Sequence, residues 1–337
     1  MAIENFWQGK RILITGATGL VGGWLSEALI KKGAEIIFLI RDLDPNSLLV
    51  LKDTLRKGQV VQGSLEDGVS CERAIVEYGV DTVFHLAAQA IVETGLRSPL
   101  ITFEANIRGS YLLFEACRRQ KELVQRIVVA SSDKAYGSSP HLPYTEKMPL
   151  AGRHPYDVSK SCADLLAVSY FHTYHLPIVI ARCGNIFGGG DLHFSRIVPG
   201  TIRSLLKDET PVIRSNGLLT RDYIYVEDVV DAYLSLGEQL RREGVQGEAF
   251  NFGPNRPYSV KEMVAALQTL MGKTHLKPKI LDQAHLEIKD QTLDSSKAKK
   301  ILGWKPKYSL EEGLAKTIQW YKHYFICTSN VDFAPTP

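Results

Sequence analysis

Several function classes are excluded by what the chain has little of. Its five cysteines (Cys71, Cys117, Cys162, Cys183 and Cys327) are scattered, odd in number and never in CxxC spacing. Neither a disulfide framework nor a thiolate zinc site is expected, and the thiols read as reduced. No run reaches the roughly 18 apolar residues of a membrane-spanning helix. The opening Met1-Ala2-Ile3-Glu4-Asn5-Phe6 has no basic region followed by an apolar stretch, so no signal peptide is expected, and the location expected is cytoplasmic. Charge of one sign is scarce as well. The formal net charge is +3, and the short basic cluster Lys297, Lys299 and Lys300 suits a solvated helix face. Neither nucleic acid nor a membrane is therefore expected as a partner. His172 and His175 are three apart but have no acidic third ligand in view, so no metal is expected.

What is present is the material of a sizeable core. The 337 residues are 45% hydrophobic and 23% charged, enough for one large domain or two ordinary ones. Residues 10–15 form an apolar strand that runs straight into Gly16-Ala17-Thr18-Gly19-Leu20-Val21-Gly22, and helical spacing follows over 21–32 until Gly33. A second strand is expected over 36–40. The alternation continues with strands at 59–63, 82–86, 126–130 and 178–181 and helices at 69–78, 101–119 and 156–172. The strands are continuous apolar runs, as parallel strands covered on both faces are. The fold class expected is α/β: a Rossmann-type doubly wound parallel sheet with a smaller C-terminal substrate-binding lobe. Residues 1–184 would form the dinucleotide-binding domain, with 220–255 returning to it. Residues 185–325 would be mainly the lobe, and 326–337 a flexible tail.

The turn Gly16-x-x-Gly19-x-x-Gly22 is one residue longer than GxGxxG between its first glycines. Its physical task is the same: to bring backbone N–H groups and a helix N-terminus to a pyrophosphate. The second strand ends Ile40-Arg41-Asp42. Asp42 suits the ribose of NAD, whereas Arg41 suits the 2′-phosphate of NADP. Tyr156-x-x-x-Lys160 places a phenol and an ammonium on one helix face. The ammonium is expected to lower the phenol's pKa so that Tyr156 acts as a general base, and Lys160 can also hold the nicotinamide ribose. Ser131-Ser132 are read as following the fifth strand, with a hydroxyl aimed at the substrate oxygen. His85 reads as a residue bonded to a backbone group, and Cys183 as a packed residue.

With these motifs stand His85-Leu-Ala-Ala88, Asn106-x-x-Gly109, Ser131-Ser132-Asp133-Lys134, Arg182-x-Gly184-Asn185 and Arg221-Asp222-Tyr223-Ile224. As an ordered set over roughly residues 10–321 they resemble the extended short-chain dehydrogenase/reductase superfamily, in its nucleotide-sugar epimerase and dehydratase branch. The resemblance implies that Gly16, Thr18, Gly19, Leu20, Val21 and Gly22 hold the cofactor pyrophosphate. Arg41, Asp42, Ser64 and Leu65 would lie at its adenosine end. Leu86, Ala87, Ala88, Asn106 and Ala130, with Tyr156 and Lys160, would lie toward the nicotinamide. Gln89, Ser132, Asn185, Arg196, Val198 and Arg221 would meet the substrate, a sugar nucleotide. Ser64 stands where the family usually has aspartate, with Asp67 three residues on. A homodimer through the helices 101–119 and 156–172 is also implied.

Within the branch, Ser132-Asp133-Lys134-Ala135-Tyr136 and the run 181–191 look most like the CDP-glucose 4,6-dehydratases. Ser132 departs from the usual threonine, and Leu192 from the usual tryptophan. That likeness implies NAD-dependent oxidation at C4, loss of water across C5 and C6 with Asp133 as acid and Lys134 handling the C5 proton, and return of hydride to C6. Ser132, Asp133, Lys134, Tyr156 and Lys160 would be the catalytic set. A nucleotide-sugar 4-epimerase or 2-epimerase would need Ser132, Tyr156 and Lys160 but no elimination pair. An NADPH-using reductase is favoured only by Arg41, and a non-catalytic nucleotide-sugar-binding protein would be expected to have a broken trio, which is intact here.

Overall fold

The computed structural model describes residues 5–284 and 287–328. Seven strands make one sheet: β1 (Arg11–Thr15), β2 (Glu35–Ile40), β3 (Gln59–Gln62), β4 (Thr82–His85), β5 (Arg126–Ser132), β6 (Ile178–Cys183) and a late strand, Ala249–Phe252. The order across the sheet is β3-β2-β1-β4-β5-β6 and then Ala249–Phe252, and every pairing is parallel. This is the doubly wound α/β arrangement. Strand order reverses between β1 and β4, where a crevice opens at the strands' C-terminal ends.

Both faces of the sheet are covered, which explains the unbroken apolar strands. On one face Ile12, Ile14 and Phe38 meet Leu25 and Leu29 of the helix Leu20–Lys31 and Val229, Tyr233 and Leu236 of the helix Val226–Gln239. On the other, Leu13, Val83 and Ile127 meet Ile75, Leu113 and Ala167. Each such fully buried aliphatic side chain contributes roughly 1.5–3 kcal/mol.

A second group of strands lies beyond β6. These are β7 (Asn185–Phe187), β8 (Val212–Ile213), β9 (Thr220–Tyr225), β11 (Pro257–Ser259) and β12 (Lys279–Ile280), the late strand of the large sheet being β10. β11, β9 and β7 form one small sheet, and β12 pairs with β8. Phe187, Ile202, Tyr225, Leu267, Leu314 and Tyr321 make a separate core there. The segment expected to return to the main sheet at 220–255 divides: Thr220–Tyr225 belongs to the small sheet, and Ala249–Phe252 to the large one.

Some boundaries depart from the sequence reading. Ser131 and Ser132 are the last two residues of β5, not residues after it. The helix expected over 101–119 runs from Pro99 with a π-helical turn at Glu104–Arg108. A short helix, Val92–Arg97, was not foreseen. The basic cluster lies on the helix Ser296–Leu302, with Lys299 and Lys300 exposed. Residues 326–328 of the expected flexible tail continue the last helix, Leu310–Thr328, because no proline or glycine interrupts the chain between Gly313 and Pro335. The remainder of that tail, 329–337, lies outside the described residues. No described helix is long and apolar enough to cross a membrane.

Candidate active site

A cleft of about 1310 Å³ runs along the C-terminal edge of the large sheet and under the small one. Of the residues singled out from sequence it is lined by Gly16, Thr18, Gly19, Leu20, Val21, Gly22, Arg41, Asp42, Ser64, Leu65, Leu86, Ala87, Ala88, Gln89, Ser132, Lys134, Tyr156, Asn185, Arg196, Val198 and Arg221. Asn106, Ala130, Asp133 and Lys160 stand just behind that wall.

At the β1 end, Gly16 has φ +76°, and a Cβ there would lie 2.6 Å from the backbone nitrogen of Ala87. A Cβ on Gly22 would lie 2.2 Å from the carbonyl of Gly16. The turn closes with Gly19 N–H donating to Gly16 O at 3.1 Å. No side chain caps the helix Leu20–Lys31. Its first N–H groups are left for an anion, and a dinucleotide pyrophosphate fits that cradle.

At the far end of the cradle Arg41 Nε donates to Asp42 Oδ2 at 2.6 Å, and Arg41 Nη1 lies 3.9 Å from Glu66. Ser64 donates to Glu66. Glu66 lines the cleft and was missed in the sequence. Asp67, three residues after Ser64, caps the helix Gly68–Tyr78 by accepting from Val69 and Ser70 N–H.

Asn106 is 2% exposed and acts as a staple rather than a cleft residue. Its Oδ1 accepts from Gln89 N–H at 2.7 Å, and its Nδ2 donates to Gln89 O at 3.1 Å and Ser159 Oγ at 2.8 Å. Ser159 in turn donates to Tyr156 O at 2.7 Å. The loop after β4 is thus tied to the helix Pro155–Tyr174. The side chain of Gln89 is engaged with Ile91 O and Thr102 Oγ1.

His85 bonds two hydroxyls, not a backbone group: Thr15 Oγ1 at Nδ1 and Ser110 Oγ at Nε2, both at 2.9 Å. Ser110 gives its own proton to Asn106 O, so Nε2 carries the ring hydrogen and Nδ1 accepts. Burial lowers this histidine's pKa to about 3.

The Tyr156–Lys160 pair corrects one expectation. Burial pushes the Tyr156 phenol up to about 12. What opposes burial is the charge of Arg196 and a hydrogen bond from Ser132. Lys160, although one helical turn away, donates to Ala130 O at 2.8 Å, and burial lowers it to about 8. The β5 backbone, which had no place in the sequence argument, captures the amine. Arg196 is itself held by Asp191 at 3.0 Å. Cys183 lines the cleft opposite Ser132 in the β5–β6 register, and burial raises its thiol, so it is no nucleophile.

Between Ser132 and the small sheet lies a buried group of charges. Ser132 Oγ donates to Asp133 Oδ1 at 3.0 Å. Asp133 is 1% exposed, burial raises its pKa, and its Oδ2 has no partner. Burial and the nearby Arg221 charge hold Lys134 below the ordinary lysine value. Arg221, 3% exposed, donates to Thr220 O at 2.8 Å, Lys289 O at 3.1 Å and Glu287 Oε2 at 2.8 Å. A diphosphate reaching it would have to displace Glu287.

Sequence comparison places this geometry. The chain matches the family model described as GDP-mannose 4,6 dehydratase over residues 13–317. It belongs to that family, within the extended short-chain dehydrogenase/reductase superfamily of nucleotide-sugar dehydratases and epimerases. It is 32% identical to a CDP-glucose 4,6-dehydratase of Salmonella typhimurium, an alignment covering 96% of this chain and 93% of the other. Among solved structures it is similar to the UDP-glucose 4-epimerase of Thermotoga maritima with UDP-glucose: 29% identity, TM-score 0.85, covering 94% and 99% of the two chains. The dTDP-glucose 4,6-dehydratase of Bacillus anthracis in complex with NAD is also similar: 26% identity, TM-score 0.82, covering 94% and 97%. Dehydratases and epimerases thus share this fold, and the family alone does not choose between them.

Proposed function

We propose that this member of the family, an NAD-dependent enzyme acting on nucleotide sugars, is a nucleotide-sugar 4,6-dehydratase. The single observation that carries the reading is the adjacency of Asp133, buried under Ser132, and Lys134, half-buried in the cleft wall, whose pKa values loss of solvent drives in opposite directions. One is raised and the other lowered. A carboxyl shifted toward its protonated form beside an amine shifted toward its neutral form is what an elimination asks of its acid and its base. An epimerase needs neither.

The Gly16–Gly22 cradle would hold NAD, whose nicotinamide would supply a reversible hydride acceptor for oxidation at C4 and reduction at C6 of the sugar. The chain's own residues do the rest. Tyr156 takes the proton of the C4 hydroxyl once its phenol has ionised, a step that burial opposes and that Arg196, Ser132 and the positive charge an oxidised nicotinamide would bring all favour. Ser132 holds that oxygen, and Lys160 anchors the floor of the site through Ala130. The C4 ketone acidifies the C5 proton, which Lys134 takes, while Asp133 protonates the departing C6 hydroxyl; when C6 receives hydride, Lys134 returns the proton to C5, and the proton gained by Tyr156 and the one lost by Asp133 are restored through solvent. Asp133 does not line the cleft, so a relay would need the Ser132 hydroxyl, which donates to Asp133 Oδ1, to turn toward the sugar, give its own proton to the departing oxygen and take the Asp133 proton in exchange. Arg41 is already paired with Asp42 and faces Glu66, which leaves a 2′-phosphate two carboxylates to repel it. This favours NAD over NADP. The homodimer through the helices 99–119 and Pro155–Tyr174 and a cytoplasmic location belong to the same proposal.

The test is Lys134→Ala against a panel of sugar nucleotides. The wild-type product should be lighter by one water in mass spectrometry. In the variant, oxidation with NADH formation should persist while water loss falls by on the order of 10²–10⁴-fold. An unaltered rate of water loss, or a wild-type product of unchanged mass, would remove the dehydratase reading in favour of an epimerase.

A further inference from the structure

Lys134 reaches its acceptor across a long stretch of sequence. Its Nζ donates to Oε1 of Gln291 at 3.3 Å, 157 residues away. Gln291 is 0% exposed. Its mount is rigid: its backbone N–H donates to Thr220 O at 3.1 Å, its neighbour Asp290 accepts from Thr220 Oγ1 at 2.7 Å, and Thr292 O accepts from Tyr144 N–H at 2.8 Å. The amide Nε2 is buried with no partner, an arrangement that costs free energy and is kept nonetheless.

We propose that Gln291 is the positioning residue of Lys134: a neutral acceptor, delivered by the segment that runs beside β9, that fixes the amine without giving it a counter-ion. The inference rests on the dehydratase reading for its chemistry, since it is the C5 proton that Lys134 would take. A neutral amine has two N–H donors and one lone pair. With one N–H held by Gln291, the second N–H and the lone pair remain for the cleft that Lys134 lines. A carboxylate at the same place would hold an ammonium instead, which is no base.

The charged groups around Lys134 are consistent with this. Arg221 disfavours the ammonium, while Asp133, Asp157 and Glu287 favour it. Asp133 and Asp157 are themselves driven toward the neutral form by burial. Glu287 is engaged by Arg221. The balance therefore turns on whether position 291 adds a negative charge.

Two variants test it in the full-length protein. Q291E is isosteric, and Q291L removes the acceptor at similar volume. The first readout needs no turnover: competitive acetylation of Lys134 by acetic anhydride as a function of pH, followed by peptide mass spectrometry. Q291E should move the Lys134 midpoint up by about one pH unit, and the acidic limb of the water-loss profile with it. In Q291L, kcat for water loss should fall about tenfold with KM unchanged, while NADH formation continues. A Lys134 midpoint identical in Q291E and wild type would overturn the proposal. So would a Q291L enzyme that folds and eliminates water at the wild-type rate. If the wild type releases no water from any sugar nucleotide but the midpoint still moves in Q291E, the dehydratase reading falls and the positioning role stands.

Discussion

The two ends of the cleft are built on different principles. The cofactor end is made of backbone: three glycines, a helix start without a side-chain cap, and a turn closed on itself. The end proposed for the reaction is made of charge taken largely out of water: buried Asp133 and Arg221 and half-buried Lys134, with Arg196 acting on Tyr156. The first tolerates almost no added atom but is indifferent to protonation. The second tolerates changes of shape better than changes of charge. A steric substitution and an electrostatic one should therefore have opposite rankings at the two ends.

The sharpest way to break that contrast is Gly22→Val. A Cβ there meets the Gly16 carbonyl, a backbone atom that cannot step aside. The purified variant should carry no nicotinamide nucleotide, measured after denaturation, and should show no turnover. If it retains cofactor at the wild-type ratio, the cradle is not where the dinucleotide sits.

Next in size is Tyr156→Phe, which keeps the shape of the reaction end and removes one ionisable group. NADH formation should fall by on the order of 10²–10⁴-fold, with cofactor content unaltered. A variant that lost its cofactor as well would show that the two ends are not independent.

The smallest effect concerns His85, which lies between the ends beneath the cleft. It stays neutral when folded down to pH about 3, whereas an ordinary histidine titrates at 6.5. The unfolded chain therefore binds a proton that the native one refuses, and stability is lost as pH falls from about 6.5 toward 3. His85→Asn should remove that part of the slope in urea unfolding measured from pH 7 to 4, whatever it costs at neutral pH. Parallel slopes in the two proteins would argue against a histidine neutral in the native state.

The same contrast explains what could be read from the sequence. The cradle is local: strand, glycines and helix follow within twenty residues, and each glycine's need is visible in its spacing. Tyr156, Lys160, Ser132, Asp133 and Lys134 were visible as short patterns. Their electrostatics were not, because the partners come from far along the chain. Arg196 replaces Lys160 as the cation acting on Tyr156, and Lys160 is taken by a strand carbonyl. Glu287 and Gln291 arrive from the segment that runs beside β9, and their roles have no signature in any window of sequence. The π-helical turn at Glu104–Arg108 was hidden for a related reason. It sets Asn106 between Gln89 and Ser159, a three-element contact that helical periodicity does not record.

The parallel pairing of Ala249–Phe252 with β6 has a consequence for anyone who would re-engineer the chain. Residues 185–225 leave the large sheet, the helix Val226–Gln239 packs back on its face and Ala249–Phe252 rejoins it one strand over, while β11 from the later stretch pairs with β9 of the earlier one. The small sheet is therefore drawn from two stretches that are neighbours in space but separated in sequence, and the proposed substrate contacts fall with it. A chimera that swaps only the C-terminal third would marry half of one recognition surface to half of another. A transplant has to carry both pieces across together and leave the seam between the sixth and seventh strands of the sheet intact.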